Sequence, residues 1–234
     1  MKQTLIIGLI GVLAGSVIAA DSKDKVTSAA KQLGDKANYS WTTSTKEADG
    51  SPGRLGPIQG KADKGGVTYL SFEVSGVPVE VYMNGEKGTA KGLEGWQTFD
   101  EVAQASATAA AVVKFIRAHK TPAAESANLA DKVKDLKEAD GALSGELKEE
   151  AVKELLLRGG RRREGQDPPK IEGAKGSVKF WTKDDVLTKY EINLQGKVTM
   201  GERESDINRT TTVEIKDIGT TKLEIPAEAK QKMT

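Results

Sequence analysis

Apolar residues recur along this chain with two periods, and the period changes twice. From Lys25 to Ala37 they fall at i, i+3, i+4 and i+7 (Val26, Ala29, Ala30, Leu33), which predicts a helix with one apolar stripe. The period then drops to two. In "NYSWTTST" Tyr39 and Trp41 alternate with Ser40 and Thr42, and "EADGSPGRLGP" is a Gly/Pro loop. "VTYLSFEV" places Leu70, Phe72 and Val74 on one face and Tyr69, Ser71 and Glu73 on the other. "VPVEVYM" does the same with Val77, Val79, Val81 and Met83, and Asn84-Gly85 then supplies a two-residue turn expected to carry positive φ at both positions. Pro78 cannot donate to a ladder, so its strand is expected at an edge or to begin late.

The helical period returns at "TFDE", where Thr98 and Glu101 form a capping box. One helix is expected from there to about Ala118, with Phe99, Val102, Ser106, Ala109, Val113 and Ile116 on its inner face and only small residues in its middle. "AAESANLADKVKDL" reads as a second helix and "KEEAVKELLL" as a third, with Val152, Leu155 and Leu156 inward. Alternation then resumes. Val178 and Phe180 share a face of "SVKFWT", and Val186, Thr188, Tyr190, Ile192 and Leu194 share a face of the next strand. The chain closes on a strand–turn–strand pattern. Val213 and Ile215 are expected to face one way, Asp217-Ile218-Gly219 to turn, and Leu223 and Ile225 to return to the same side.

Strands separated by a helical middle predict an α+β fold with an antiparallel sheet. Strands apolar on one face only predict helices over one side of that sheet and solvent on the other. The expectation is one domain, a curved sheet with three or four helices on its concave face. Tyr69, Phe72, Tyr82, Trp96, Phe180, Trp181 and Tyr190 cluster on predicted strands or their ends. A concave face lined by them would be ordinary core or the wall of an apolar ligand cavity. The candidate wall is Leu70, Phe72, Val79 and Val81 from the first strands, and Phe99 and Val113 from the long helix. Phe180, Tyr190 and Ile192 come from the later strands, and Val213, Ile215, Leu223 and Ile225 from the closing hairpin.

The amino terminus adds a compartment. Lys2, an apolar run from Leu5 to Ile18 and small residues at Ala19 and Ala20 have the pattern of a cleaved secretory signal, residues 1–20. The run falls short of the roughly 20 residues that span a bilayer. Cleavage after Ala19 or Ala20 would leave residues 21–234 as a soluble periplasmic or secreted domain. The chain has no cysteine, so it carries neither a lipid anchor on that residue nor a disulfide. Lysines and arginines, 35 in all, balance 34 acidic residues, which argues against wholesale binding of polyanions.

Little points to catalysis. The single histidine, His119, sits at a helix end beside Lys120 and is expected to be a solvated cation. No soft-ligand metal or haem site can be assembled, and no cofactor is expected. No phosphate loop, nucleophile elbow or nucleophile–base pair is present. "RGGRRR", Arg158 to Arg163, is the most basic spot. Without interleaved aromatics it is expected to be a solvated loop, with anionic lipid headgroups as its alternative partner and no nucleic acid.

Five stretches together carry a resemblance: the amphipathic helix after the signal, "VEVYMNGEK…GW", "GALSGELKEEAVKELL", "VKFWTKDDVLTKYEI" and "TTTVEIKDIGTTKLEIP". This combination resembles the periplasmic lipoprotein-carrier (LolA-like) superfamily over roughly Lys25 to Lys230. The turn usually written Asp-Gly reads Asp184-Asp185 here, and the Thr that usually caps the short helix reads Lys148. The resemblance implies an unclosed, strongly curved antiparallel barrel plugged by helices. It also implies a non-enzymatic, monomeric carrier or sensor of a lipid, acyl chain or lipoprotein. The alternative is a structural or partner-binding envelope protein whose half-barrel is filled. A cavity of several hundred cubic ångströms lined by apolar side chains would favour the first, a packed interior the second.

Overall fold

Strand pairing brings the two ends of the sheet-forming chain together in the middle of one sheet. The computed structural model describes residues 14–53, 56–92, 94–157 and 168–233. Six strands make the first half: β1 (Asn38–Glu47), β2 (Ile58–Asp63), β3 (Val67–Val74), β4 (Val77–Asn84), β5 (Lys87–Gly92) and β6 (Gly95–Thr98). Five make the second: β7 (Lys137–Ala139), β8 (Ala142–Glu146), β9 (Lys170–Lys183), β10 (Val186–Met200) and β11 (Arg203–Lys216). Their order is β6-β5-β4-β3-β2-β1-β11-β10-β9-β8-β7. Each half is an antiparallel meander, and the halves join through β1 and β11, with Trp41 opposite Ile215 and Thr43 opposite Val213. The sheet is open and curved, the arrangement the resemblance implies.

Five helices pack on the concave side: α1 (Ala14–Gly34), α2 (Phe99–Ala105), α3 (Ala107–Arg117), α4 (Pro122–Lys132) and α5 (Glu149–Leu157). The long helix expected from Phe99 to about Ala118 is two. Ser106 is extended (φ −168°, ψ 162°), and its hydroxyl accepts from the Ala109 amide, so it caps a new helix instead of continuing the old one. The capping box forms as expected at Thr98 and Glu101. Among the described residues no helix is long and apolar enough to cross a membrane. Residues 1–13 of the predicted signal, and the Arg158–Arg163 loop, lie outside the described residues.

The turns follow the chemistry of two-residue hairpins. Asp140-Gly141 and Asp184-Asp185 carry positive φ at both positions. At the Asn84-Gly85 hairpin the register moves by one: Asn84 pairs with Lys87, the loop is Gly85-Glu86, and Gly85 alone of the pair has positive φ. Pro78 enters β4 opposite Glu73, while pairing with β5 starts only at Glu80. The missing amide therefore costs no ladder bond, although β4 is interior. A register shift between Leu187 and Lys189 displaces Thr188, so fully buried Leu187 takes the inward place expected for it.

The closing hairpin does not form. β11 has β10 on one side and β1 on the other, so neither edge is vacant for a further strand. Positive φ at Asp217 and Gly219 turns the chain away, and the Gly219 amide donates to the Asn38 carbonyl at 2.7 Å. The segment then crosses the convex face as an unpaired length ending in α6 (Ala227–Lys232). Leu223 and Ile225 consequently pack against Tyr82 and Trp96, on the face opposite Val213 and Ile215.

Candidate functional site

The concave face and its helices enclose one contiguous apolar interior. Leu70 and Phe72 on β3, Val81 on β4, Phe180 on β9, Tyr190 and Ile192 on β10, and Val213 and Ile215 on β11 are all buried in it. Phe99 of α2 and Val113 of α3 close it from above, and Val79 sits half-buried at its margin. Eleven of the thirteen candidate wall residues thus meet in one place. Leu223 and Ile225 do not, for the reason given above.

Two positions unremarked in the sequence pattern shape this interior. Gly60 lies directly opposite Trp41, whose indole covers it so closely that a β-carbon there would overlap the ring. Gly88 is covered in the same way by the Phe99 ring. A glycine within a strand marks such close approaches, and both fall on the inward parity of their strands.

The aromatic residues divide between the faces. Phe72, Phe180 and Tyr190 point inward. Tyr69, Tyr82 and Trp96 form a ladder on the convex face, with ring centroids 4.9 and 5.5 Å apart. Trp181 is half-exposed, with the Lys189 ammonium 4.5 Å from its ring centroid. Alternation correctly separates faces but not which face the helices cover. Here both carry aromatics.

His119 does not stand in solvent at its helix end. It is half-buried, its ring stacks 6.1 Å from Trp41 with planes 8° apart, and Phe115 flanks it at 6.4 Å. The aromatic group continues to Tyr39, whose phenol burial pushes its pKa up despite hydrogen bonds to Thr121 and Ala123 that pull it down. Deeper in, the Tyr190 hydroxyl donates to Glu125 of α4 at 2.7 Å. Arg209 of β11 reaches the Leu155 carbonyl near the end of α5 at 3.4 Å. Among the described residues no group of three or more His, Cys, Asp and Glu could hold a metal ion.

The cover is weakest over α2 and α3. Arg117 at the end of α3 folds back to the start of α2, pairing with Asp100 at 2.8 Å and lying 5.6 Å from the Phe99 ring centroid. The two helices therefore form a short hairpin bent at Ser106. Val102, Ala103 and Val112 are only half-buried, as are Ala109 and Ala110. Two clefts of about 320 and 290 Å³ open on the opposite, convex face, around Lys61, Tyr69 and Lys222.

No protein-family model and no curated protein matches the chain. Among solved structures it is similar to LprF from Mycobacterium bovis, at 9% identity and a TM-score of 0.47, covering 90% of this chain and 98% of that one. The Mycobacterium tuberculosis lipoprotein LppX is similar at 9% identity and a TM-score of 0.46, over 88% of this chain and 99% of that one. A DUF1329-family protein from Desulfovibrio piger is similar at 10% identity and a TM-score of 0.33, over 93% and 99%. The open antiparallel sheet with helices over one face is read from this chain's own strand order and helix placement.

Proposed function

We propose that the chain is a non-enzymatic, exported carrier or sensor of a lipid or acyl chain, held between the concave sheet and a lid formed by α2 and α3. The observation that carries this reading is the cover itself. A largely apolar face is roofed by two short helices bent at Ser106, where Gln104 to Thr108 are exposed and the small Ala103, Ala109 and Ala110 on either side are only half-buried. Small side chains fill little of the space between helix and sheet, so displacing this hairpin makes room for an apolar chain. Val74, Val79, Val102 and Val112 supply an apolar rim at its margin. The partner would be a lipid or a lipoprotein's acyl groups, taken up by a monomer. The basic stretch Arg158–Arg163 is a candidate contact for anionic headgroups.

A second reading has an observation of its own. Leu70, Val81, Phe180 and Leu187 are each fully buried in the one apolar cluster, and a half-barrel filled in this way would suit a structural or partner-binding envelope protein. The substitution Ala109→Phe separates the two. Under the carrier reading the variant stays folded and loses lipid that co-purifies with the wild type, as read by native mass spectrometry. A stability loss of roughly 1–3 kcal/mol from overpacking, with no lipid in either protein, would rule the carrier out.

A further inference from the structure

We infer that the segment 217–233 is a strap that holds the α2–α3 hairpin closed from the opposite face of the sheet, an inference that rests on the lid reading above. Its seat is firm. Lys61 donates to the Lys222 carbonyl at 3.2 Å, and the Tyr82 hydroxyl donates to the Glu224 carbonyl at 2.9 Å. Leu223, Ile225 and Met233 pack on the Tyr82–Trp96 ladder, and Ala229 of α6 is fully buried there. From this seat α6 delivers Lys232 around the β6 edge. Its ammonium donates to both oxygens of Glu101, at 2.8 and 3.1 Å.

Glu101 is not an arbitrary partner. Its carboxylate also accepts from the Thr98 amide at 2.7 Å, and its own amide donates to the Thr98 hydroxyl at 3.1 Å. One carboxylate therefore fixes the first turn of α2 and receives the strap. Lys232 holds this carboxyl below its usual pKa, with the Thr98 amide as the next contribution. The neighbouring Asp100 is held by Arg117 from α3. The first turn of α2 is thus gripped by one cation from its own hairpin and one from the far side of the sheet. Lifting α2 off Gly88 requires the second grip to break or α6 to leave its seat.

The test is hydrogen exchange on the full chain in four forms: wild type, Lys232→Ala, Lys232→Arg and Ala229→Glu. Losing a half-exposed ion pair should speed exchange of the α2 and α3 amides about two- to five-fold. Unseating α6 with Ala229→Glu should speed it further, and Lys232→Arg should restore the wild-type rate. The β9–β11 amides should not change. Unchanged α2 and α3 exchange in Lys232→Ala overturns the inference. So does equal acceleration in β9–β11, because that is general loss of stability. Release of a fluorescent fatty acid, cis-parinaric acid, is measured in parallel. If the wild type does not bind it, the carrier reading fails, while the exchange data still decide the strap.

Discussion

Phe99 is legible in the sequence as an inward aromatic and Trp41 as one side of an alternating strand; the glycines beneath them are not. Periodicity identifies which side chains point to the interior, but the partner across the sheet depends on register, and register is set by pairing between distant strands. Gly60 shares its inward parity with Ile58 and Ala62, so an absent side chain on the buried face was the available signal. Gly60→Ala places a methyl group within the space of the Trp41 ring, and the neighbours that must move are a buried indole and the β2 backbone. The expected cost is roughly 1–3 kcal/mol, seen as a lowered melting temperature, whereas an unchanged melting temperature would mean that Trp41 has room to shift. His119 illustrates the same limit. Its place at a helix end suggested solvent, and only the tertiary packing of β1 against α3 puts Trp41 over its ring.

Element types were largely legible because local patterns specify them. The capping box, the two-faced strands and the Asp140-Gly141 turn all follow from a few adjacent residues. The misreadings share a cause: each depended on something beyond the element. Ser106 breaks a helix that the apolar spacing would continue, and its capping hydroxyl was the one local clue. The strand after β11 was expected because its alternation is sound, yet alternation cannot report that both edges of β11 are occupied. The β9–β10 turn offers an element-scale prediction. Asp184 and Asp185 hold φ at 51° and 58°, a conformation that disfavours residues with a β-carbon. Asp185→Gly should relieve that strain at the cost of a more flexible unfolded chain. A net gain of about 0.5–1 kcal/mol is expected, and chemical denaturation measures it. A loss would show that the Asp185 side chain contributes something the turn geometry does not.

At the scale of the molecule, helix α1 bears on export. It runs from Ala14 through the predicted cleavage junction at Ala19 and Ala20. Val26, Ala29, Ala30 and Leu33, which are buried, all lie beyond that junction. Cleavage there would shorten the helix and leave these four buried residues in place. Intact-mass measurement of the exported protein should accordingly find a chain beginning at Ala20 or Asp21. A mass that includes Met1 would overturn the signal reading.

The junction of β1 with β11 also governs when the fold can be completed. Thr45 and Thr211, whose hydroxyls meet at 3.0 Å across it, are 166 residues apart in the sequence. Loop closure on that scale comes late, because its entropy must be spent before the contact stabilises anything. Until the last strand arrives, β1 and β10 each present an open row of amides and carbonyls, the kind of edge that recruits other chains. A newly made chain is therefore held in two unfinished halves until its end is delivered. If the chain is exported as proposed, that delay is useful, since a sheet unable to lock early leaves the chain unfolded for passage. The same delay exposes the unfinished chain to aggregation, so any factor that aids its maturation would act at these two edges.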